Sequence, residues 1–164
     1  MLVYLIGMSG IGKTTIGKKL AIELKCKFVD LDAEIEKIAQ SSIHNVIEQK
    51  GEDFFRSLEQ QELIKTLKLT NHIIATGGGT PCFFDNMDLM MSSGITIYLE
   101  GNPKEIYNRF SQEDKKNRPL LKNGYTGFEL LFNNRKQEYQ KANYTVNVFE
   151  KDCVERMVEV IKCY

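Results

Sequence analysis

The sequence has few of the residues that metal centres and disulfide frameworks require. It contains two histidines and four cysteines, which are Cys26, Cys82, Cys153 and Cys163. No C-x-x-C pair is present, and this disfavours a zinc site, because zinc needs several ligands at close spacing. Scattered thiols are typical of a reducing compartment rather than of a disulfide-stabilised secreted protein, and we expect a cytoplasmic location.

Net charge and long apolar runs are missing as well. The 22 basic residues balance the 22 acidic ones, so no overall field attracts nucleic acid or an anionic membrane. The apolar residues near the start end at Ile6, and we expect neither a signal peptide nor a membrane span. We expect no nucleic-acid or membrane partner, and we expect a monomer that forms one domain over 1-164.

The chain does contain a glycine-rich segment in a specific setting. Residues 7–15 read G-M-S-G-I-G-K-T-T, which fits the pattern G-x-x-x-x-G-K-[ST]. An apolar run over 2–6 precedes it and an amphipathic segment over 13–25 follows it, as expected for a strand and a helix around a phosphate-binding loop. Glycines let successive N–H groups surround a phosphate, and the helix N-terminus adds positive charge. We therefore predict nucleotide binding over 7–15, named the phosphate loop below.

Side-chain chemistry assigns roles within the phosphate loop. Lys13 can reach the outer phosphates of a nucleoside triphosphate, and the hydroxyl of Thr14 can bind Mg²⁺. The predicted nucleotide-binding residues of the loop are Gly10, Ile11, Gly12, Lys13, Thr14 and Thr15. A glycine-rich turn that matches by chance is the alternative, and four fixed positions between a strand and a helix make it much the weaker one.

Short apolar runs alternate with amphipathic segments along the rest of the chain. Strands are predicted over 2–6, 27–31, 73–76, 95–99 and 144–149. Helices are predicted over 13–25, 33–40, 43–50, 53–69, 85–92, 103–110, 128–142 and 152–163. Alternation of this kind predicts an α/β fold of three layers, with a central parallel five-stranded sheet and helices on both faces.

Two groups of residues fall at the carboxyl ends of predicted strands, where open α/β sheets bind their ligands. Asp30 and Asp32 end the second strand, and capping of the following helix is their alternative role. Gly77, Gly78 and Gly79 follow the third strand. A simple tight turn is the alternative there, but three consecutive glycines exceed what a turn requires.

The class of nucleotide-binding protein is narrowed by segments that the sequence lacks. It has neither the N-K-x-D nor the D-x-x-G segment of regulatory GTPases, and it is short for a motor or transport ATPase. No later strand ends in the simple apolar-then-Asp pattern of a Walker B segment. Residues 111–127 are polar and aperiodic, and a loop of this length in a compact domain is usually functional. A small-molecule kinase with a closing lid over 111–127 remains.

Several segments together resemble the shikimate kinase family, in the family's order and spacing and over nearly the whole chain. Besides the phosphate loop, they are Phe28-Val29-Asp30-Leu31-Asp32 (F-x-D-x-D), residues 51–59 (G-E-x-x-F-R-x-x-E), Thr76-Gly77-Gly78-Gly79 (the modified Walker B), Arg118-Pro119-Leu120-Leu121 (the lid) and Arg135 with Tyr139 (R-x-x-x-Y).

This resemblance implies a P-loop NTPase fold with a mobile lid. It implies transfer of the γ-phosphoryl group of ATP to the 3-hydroxyl of shikimate, a step of aromatic amino acid biosynthesis. The catalytic residues would be Lys13, Asp32 and Arg118, with Arg118 also contacting the nucleotide, and Thr14 and Asp30 would hold one Mg²⁺ per site. Shikimate would be bound by Asp32, Arg56, Gly77, Gly78, Gly79 and Arg135.

Apart from the resemblance, the roles of the two arginines stay open. Planar guanidinium groups bind carboxylates bidentately, and Arg56 and Arg135 can do so together. Arg56 can equally form a surface ion pair with Glu52 or Glu59 on its own helix. Arg135 can equally lie on a solvated helix face.

Two segments depart from the family pattern. Thr80-Pro81-Cys82 stands where family members often carry a small residue and then a branched one. Residues 146–152 contain Asn and no Pro, where the family's adenine loop usually shows Asp and a later Pro. A kinase of another polyhydroxy acid, such as gluconate, and a non-catalytic nucleotide-binding sensor are the rival functions. An intact set of Lys13, Asp32 and Arg118 argues against the sensor.

Overall fold

The sheet has the predicted architecture. The protein is described here by a computed structural model that covers residues 1–117 and 121–164, with the backbone only at 116 and 117. Its strands are β1 (Leu2–Ile6), β2 (Lys27–Asp30), β3 (His72–Ala75), β4 (Ile95–Glu100) and β5 (Tyr144–Asn147). They form one five-stranded sheet in the order β2-β3-β1-β4-β5, and every neighbouring pair is parallel. The prediction of a parallel five-stranded sheet is confirmed.

Helices cover both faces of this sheet. They are α1 (Lys13–Glu23), α2 (Leu31–Ala39), α3 (Ile43–Lys50), α4 (Glu52–Thr66), α5 (Asn86–Ser93), α6 (Pro103–Asn108), α7 (Gln112–Asn117), α8 (Gly124–Tyr139) and α9 (Cys153–Cys163), with a short 3₁₀ helix over Thr80–Cys82. Consecutive residues of a strand point to opposite faces. Leu5 of β1 packs beside Gly17 of α1, whereas the Tyr4 hydroxyl lies 3.1 Å from Oγ1 of Thr66 on α4. The helices α1 and α4 therefore lie on opposite faces, which gives the three layers.

Burial explains the apolar strand sequences, and strand direction positions the site. All of β1 and nearly all of β4 are buried, because helices cover both faces of a parallel sheet. The carboxyl ends of parallel strands lie at one edge. The phosphate loop follows β1 there, Asp30 ends β2, and Thr76 and the triple glycine follow β3. Within the described ranges, no helix combines the length and the apolar character needed to cross a bilayer.

The start of α2 differs from the sequence prediction. The helix begins at Leu31, two residues earlier than expected, and Asp30 rather than Asp32 is its N-cap. A carboxylate oxygen of Asp30 accepts a hydrogen bond of 3.3 Å from the N–H of Ala33. The capping role that the sequence left open for both aspartates therefore belongs to Asp30, and Asp32 stands in the first turn of the helix.

The stretch 111–127 is more helical than its lack of periodicity predicts. The helix α7 occupies Gln112–Asn117, and α8 already begins at Gly124. A capping box begins α7: the N–H of Asp114 donates to the Ser111 hydroxyl at 3.0 Å, and the N–H of Ser111 donates to the Asp114 carboxylate at 3.2 Å. This local exchange satisfies two donors of the first turn. It stabilises a helix that is too short to show a repeat of apolar residues.

Candidate active site

The phosphate loop joins β1 to α1 through glycines with positive φ. Gly7, Gly10 and Gly12 have φ values of 135°, 83° and 109°, a range in which residues with a Cβ are strained. At Gly10 a Cβ would also overlap the ring of Phe110. The loop then runs into α1, whose first N–H groups have no partners within the helix. These donors and the helix N-terminus form an anion-binding concavity where the sequence predicts one.

Lys13 is buried and folded back on the phosphate loop. Its Nζ donates hydrogen bonds to the carbonyl oxygens of Gly7 at 2.7 Å and Met8 at 2.9 Å. Burial lowers the pKa of Lys13 to about 8, although the carboxylates of Asp32 and Asp30 act in the opposite direction. The ammonium group is thus held at the centre of the site by two carbonyl oxygens, which phosphate oxygens can replace.

Thr14 and Asp30 meet beside the phosphate loop. The hydroxyl of Thr14 donates a hydrogen bond of 2.6 Å to Oδ2 of Asp30, while the other carboxylate oxygen caps α2. A hydroxyl and a carboxylate oxygen next to a phosphate-binding loop are the donors that Mg²⁺ prefers in nucleotide sites. The two residues therefore fit the predicted metal.

Asp32 lies at the same edge of the sheet, against Gly77. A Cβ at Gly77 would be 2.7 Å from Oδ1 of Asp32 and 2.7 Å from Oε1 of Glu59, so a glycine is needed for these carboxylates to approach the backbone. Burial raises the pKa of Asp32 to about 6; the charge of Lys13 lowers it and that of Glu59 raises it further. A carboxylate with a pKa near neutrality can orient a hydroxyl and accept its proton.

Arg56 is fixed on several sides. Its Nη1 donates to Oε2 of Glu59 at 2.9 Å, and its Nε and Nη2 donate to Oε1 of Glu52 at 3.2 and 3.0 Å. The guanidinium carbon lies 4.0 Å from the ring centroid of Phe83. Both ion pairs that the sequence offered as an alternative are present. The pair with Glu59 is buried, because Arg56 is 8% exposed and Glu59 is 1% exposed, whereas Glu52 lies at the surface. These bonds leave one N–H on each terminal nitrogen for a ligand.

The triple glycine lets two guanidinium groups approach the backbone. A Cβ at Gly79 would be 2.7 Å from Nη1 of Arg56, and a Cβ at Gly78 would be 3.5 Å from Nη1 of Arg135. Arg135 is half-buried on α8, so it does not lie on a solvated helix face. The two arginines come from helices far apart in sequence and meet at adjacent glycines.

The remaining predicted residues lie in the phosphate loop and the first turn of α1 or outside the described part. Ile11 is buried and its carbonyl accepts a hydrogen bond of 3.1 Å from Arg109, while Thr15 is exposed in the first turn of α1. The guanidinium carbon of Arg109 also lies 4.4 Å from the centroid of the Phe149 ring. This contact brings the segment 146–152 beside the phosphate loop. Arg118 lies outside the described residues, so its place over the phosphates stays a prediction.

Comparison with known proteins assigns this site to a family. A family model described as shikimate kinase matches residues 9–163. The chain belongs to the shikimate kinase family. The match spans all but the ends of the chain and takes in Asp32, Arg56 and Arg135. The resemblance drawn from the sequence segments is thereby confirmed.

Individual shikimate kinases match over almost the full chain. That of Caldanaerobacter subterraneus subsp. tengcongensis is 38% identical over 164 residues, which cover 99% of this chain and 95% of the relative. The structure of shikimate kinase from Acinetobacter baumannii in complex with shikimate has a TM-score of 0.91 at 31% identity, with 99% and 93% coverage. The enzyme from Bacteroides thetaiotaomicron has a TM-score of 0.86 at 30% identity, with 99% and 96% coverage. The predicted P-loop kinase fold is confirmed.

Two residues of this shikimate kinase site are absent from the predicted set. Glu59 is 1% exposed and binds Arg56; its position three residues after Arg56 on one helix was the signal that could have found it. Phe83 lies against the Arg56 guanidinium, directly before the chain turns at Phe84, which has a φ of 53°. No sequence signal marks that turn, since a phenylalanine seldom adopts the left-handed conformation.

Proposed function

We propose that this protein transfers the γ-phosphoryl group of ATP to the 3-hydroxyl of shikimate, giving ADP and shikimate 3-phosphate. The main support is the convergence of two guanidinium groups, from Arg56 and Arg135, on the triple glycine beside the Asp32 carboxylate. Shikimate carries one carboxylate and several hydroxyls, which these groups complement. The phosphate loop lies against the same glycines, since a Cβ at Gly78 would be 2.6 Å from the hydroxyl oxygen of Ser9.

On the acceptor side, binding and proton transfer fall to different residues. Arg56 and Arg135 would bind the shikimate carboxylate, because a guanidinium group can donate two parallel hydrogen bonds to a carboxylate. Asp32 would accept hydrogen bonds from hydroxyls of the ring and orient the attacking one. As that oxygen bonds to the γ-phosphorus, the bond from phosphorus to the β,γ-bridging oxygen breaks, and the hydroxyl proton passes to Asp32.

On the donor side, positive groups stabilise the phosphates. The N–H groups of the phosphate loop would bind the β-phosphate, and Lys13 would exchange the carbonyls of Gly7 and Met8 for phosphate oxygens. Fixed donors of this kind lower the barrier because they are in place before charge develops on the transferring group. Arg118 would add a further cation as the lid closes, a role that rests on the resemblance alone.

Mg²⁺ would be held by Thr14 and Asp30, whose oxygens fit it. When bound, the ion would offset the negative charge of the β- and γ-phosphates. The hydrogen bond from Ala33 to the Asp30 carboxylate, at 3.3 Å, fixes the orientation of that side chain at the start of α2.

The test is an ADP-release assay with Mg-ATP and shikimate, gluconate or no acceptor. We expect release with shikimate only, and none from the Lys13→Ala variant, whose circular dichroism should match the wild type. ADP release with gluconate instead of shikimate would support a kinase but contradict shikimate as its substrate. ATP binding without ADP release in the presence of either acceptor would favour the non-catalytic sensor.

A further inference from the structure

A buried chain of hydrogen bonds links Thr80 to the guanidinium of Arg56. The hydroxyl of Thr80 donates to Oε1 of Glu59 at 2.6 Å, and Oε2 of the same carboxylate accepts from Nη1 of Arg56 at 2.9 Å. Thr80 is 0% exposed and Glu59 is 1% exposed. Solvent therefore does not compete for these bonds, and Glu59 is the hydrogen-bonding partner of both the Thr80 hydroxyl and Nη1 of Arg56.

The Thr80 hydroxyl lies where two carboxylates come close to each other. A Cβ at Gly77 would be 2.7 Å from Oδ1 of Asp32, 2.7 Å from Oε1 of Glu59 and 3.0 Å from Oγ1 of Thr80. Without the hydroxyl, Oε1 of Glu59 would be a buried carboxylate oxygen beside a second carboxylate, and both burial and repulsion would drive it away. A displaced Glu59 would no longer present Oε2 to Arg56.

The backbone of Thr80 is itself held in place. Nδ2 of the fully buried Asn86 donates to the Thr80 carbonyl at 2.9 Å. The N–H of Thr80 donates to the carbonyl of Gly77 at 3.3 Å. These two bonds fix the backbone that carries the Thr80 hydroxyl, so the hydroxyl can in turn orient the Glu59 carboxylate.

We propose that Thr80 is a positioning residue for the substrate carboxylate: its hydroxyl orients Glu59, and Glu59 orients the guanidinium of Arg56. This inference rests on the proposed function and deepens it, because it assigns a role in substrate binding to a residue outside the predicted site. Threonine at this position does more than fill space beside the triple glycine.

The test compares substitutions that separate the hydroxyl from the shape of the side chain. Thr80→Val removes only the hydroxyl, Thr80→Ser retains it, and Thr66→Val is the matched control. Thr66 is also buried, and it ends α4, ten residues after Arg56; its hydroxyl donates to the carbonyl of Leu63 at 2.7 Å. Steady-state kinetics give KM for shikimate, KM for ATP and kcat for each variant, and urea unfolding gives their stabilities.

We expect Thr80→Val to raise KM for shikimate about tenfold, the scale of a hydrogen bond to a charged group, with KM for ATP within about twofold. Thr80→Ser should stay within about threefold of the wild type, and Thr66→Val should lose stability with KM unchanged. A purely structural role predicts that both valine variants behave alike. That result, or an unchanged KM in Thr80→Val, would overturn the proposal.

A second measurement needs neither turnover nor a fully stable variant. The Nε–H signal of Arg56 in ¹H–¹⁵N spectra of the ligand-free protein, assigned by its loss in Arg56→Lys, should shift in Thr80→Val and in the milder Thr80→Ala. In the control variant Thr66→Val the Nε–H signal of Arg56 should keep its position. An unmoved signal contradicts the link through Glu59 even if the wild type fails to phosphorylate shikimate, a failure that would count against the proposed function only.

Discussion

The hydroxyl of Tyr139 donates a hydrogen bond of 2.5 Å to the carbonyl oxygen of Gly78. Tyr139 lies one turn after Arg135 on α8, and the guanidinium of Arg135 lies beside the same glycine. The bond therefore ties the helix that carries Arg135 to the loop of the triple glycine, which the sequence predicts to bind substrate. The tyrosine ring is fully buried and packs against Tyr98, with ring centroids 5.2 Å apart.

Tyr139→Phe should keep this ring packing and loosen the placement of Arg135. We expect KM for shikimate to rise about three- to tenfold, because a buried neutral hydrogen bond is worth about 1 kcal/mol. The KM for ATP should stay within about twofold. Steady-state kinetics check this, with Tyr144→Phe as the control, since Tyr144 begins β5 at the opposite edge of the sheet. Equal rises in both KM values would argue against a local effect.

Arg135→Ala should weaken shikimate binding far more than nucleotide binding. Removing a guanidinium from a carboxylate site costs about 1.5–3 kcal/mol, so KM for shikimate should rise by about 10- to 100-fold or more. Nucleotide affinity, measured by calorimetry, should barely change. The neighbouring Lys136 pairs with Glu100 at 3.8 Å, and Lys136→Ala is the control that should leave both constants unaltered. A matching loss of nucleotide affinity in Arg135→Ala would refute the assignment.

Asp32→Asn should stabilise the ligand-free fold while it abolishes turnover. Burial, with Glu59 adding to it, raises the pKa of Asp32 from 3.8 to about 6, so the folded state disfavours the ionised form. The cost is absent below pH 3.8, grows as pH rises to about 6 and is complete above that. At pH 8 the variant should unfold in urea with about 1–3 kcal/mol more stability. The gain should shrink at pH 4.5; a variant less stable at pH 8 would contradict this account.

The cysteines should differ sharply in reactivity. Burial raises the pKa of the Cys82 thiol to about 11, against the opposing charge of Arg135, so about one thiol in a thousand is ionised at pH 8. Cys163 is exposed. Iodoacetamide at pH 8 should therefore modify Cys163 and leave Cys82 intact, as peptide mass spectrometry can show, and both should react in urea. Equal labelling of Cys82 and Cys163 in the native protein would contradict the protection of the Cys82 thiol.

The sheet and the phosphate loop could be predicted from sequence because their signals are local. Strands covered on both faces are continuously apolar, and a phosphate-binding loop needs its glycines and lysine at fixed spacing. The helix α7 was not predicted, because its six residues are too few to show a helical repeat of apolar residues. Asp30 and Asp32 could not be separated as helix caps either, since both residues suit that role and only the path of the backbone decides between them.

The ion pairs of Arg56 could be predicted from the sequence, but the burial of Arg56 could not. The spacing of Glu52, Arg56 and Glu59 predicts the ion pairs that are observed. It does not predict the burial of Arg56 and Glu59. The ring against the Arg56 guanidinium belongs to Phe83, from a distant segment, and the next residue, Phe84, has an uncommon φ of 53°. The sequence assigns Thr80 no role, because its hydrogen bond to Glu59 joins two segments that are 21 residues apart.

The bonds from Lys13 to the carbonyls of Gly7 and Met8 bear on how tightly this protein can bind its nucleotide. In the free state the ammonium serves as an internal ligand that keeps the loop in its curved form. On nucleotide binding we then expect Lys13 to exchange its hydrogen-bonding partners in a loop that is already formed. Little conformational entropy would be lost, because the loop needs little further ordering. The same exchange sets a ceiling on affinity, because each new bond from Lys13 replaces an existing one. We therefore expect ADP to leave readily and the loop to keep its curved form for the next ATP.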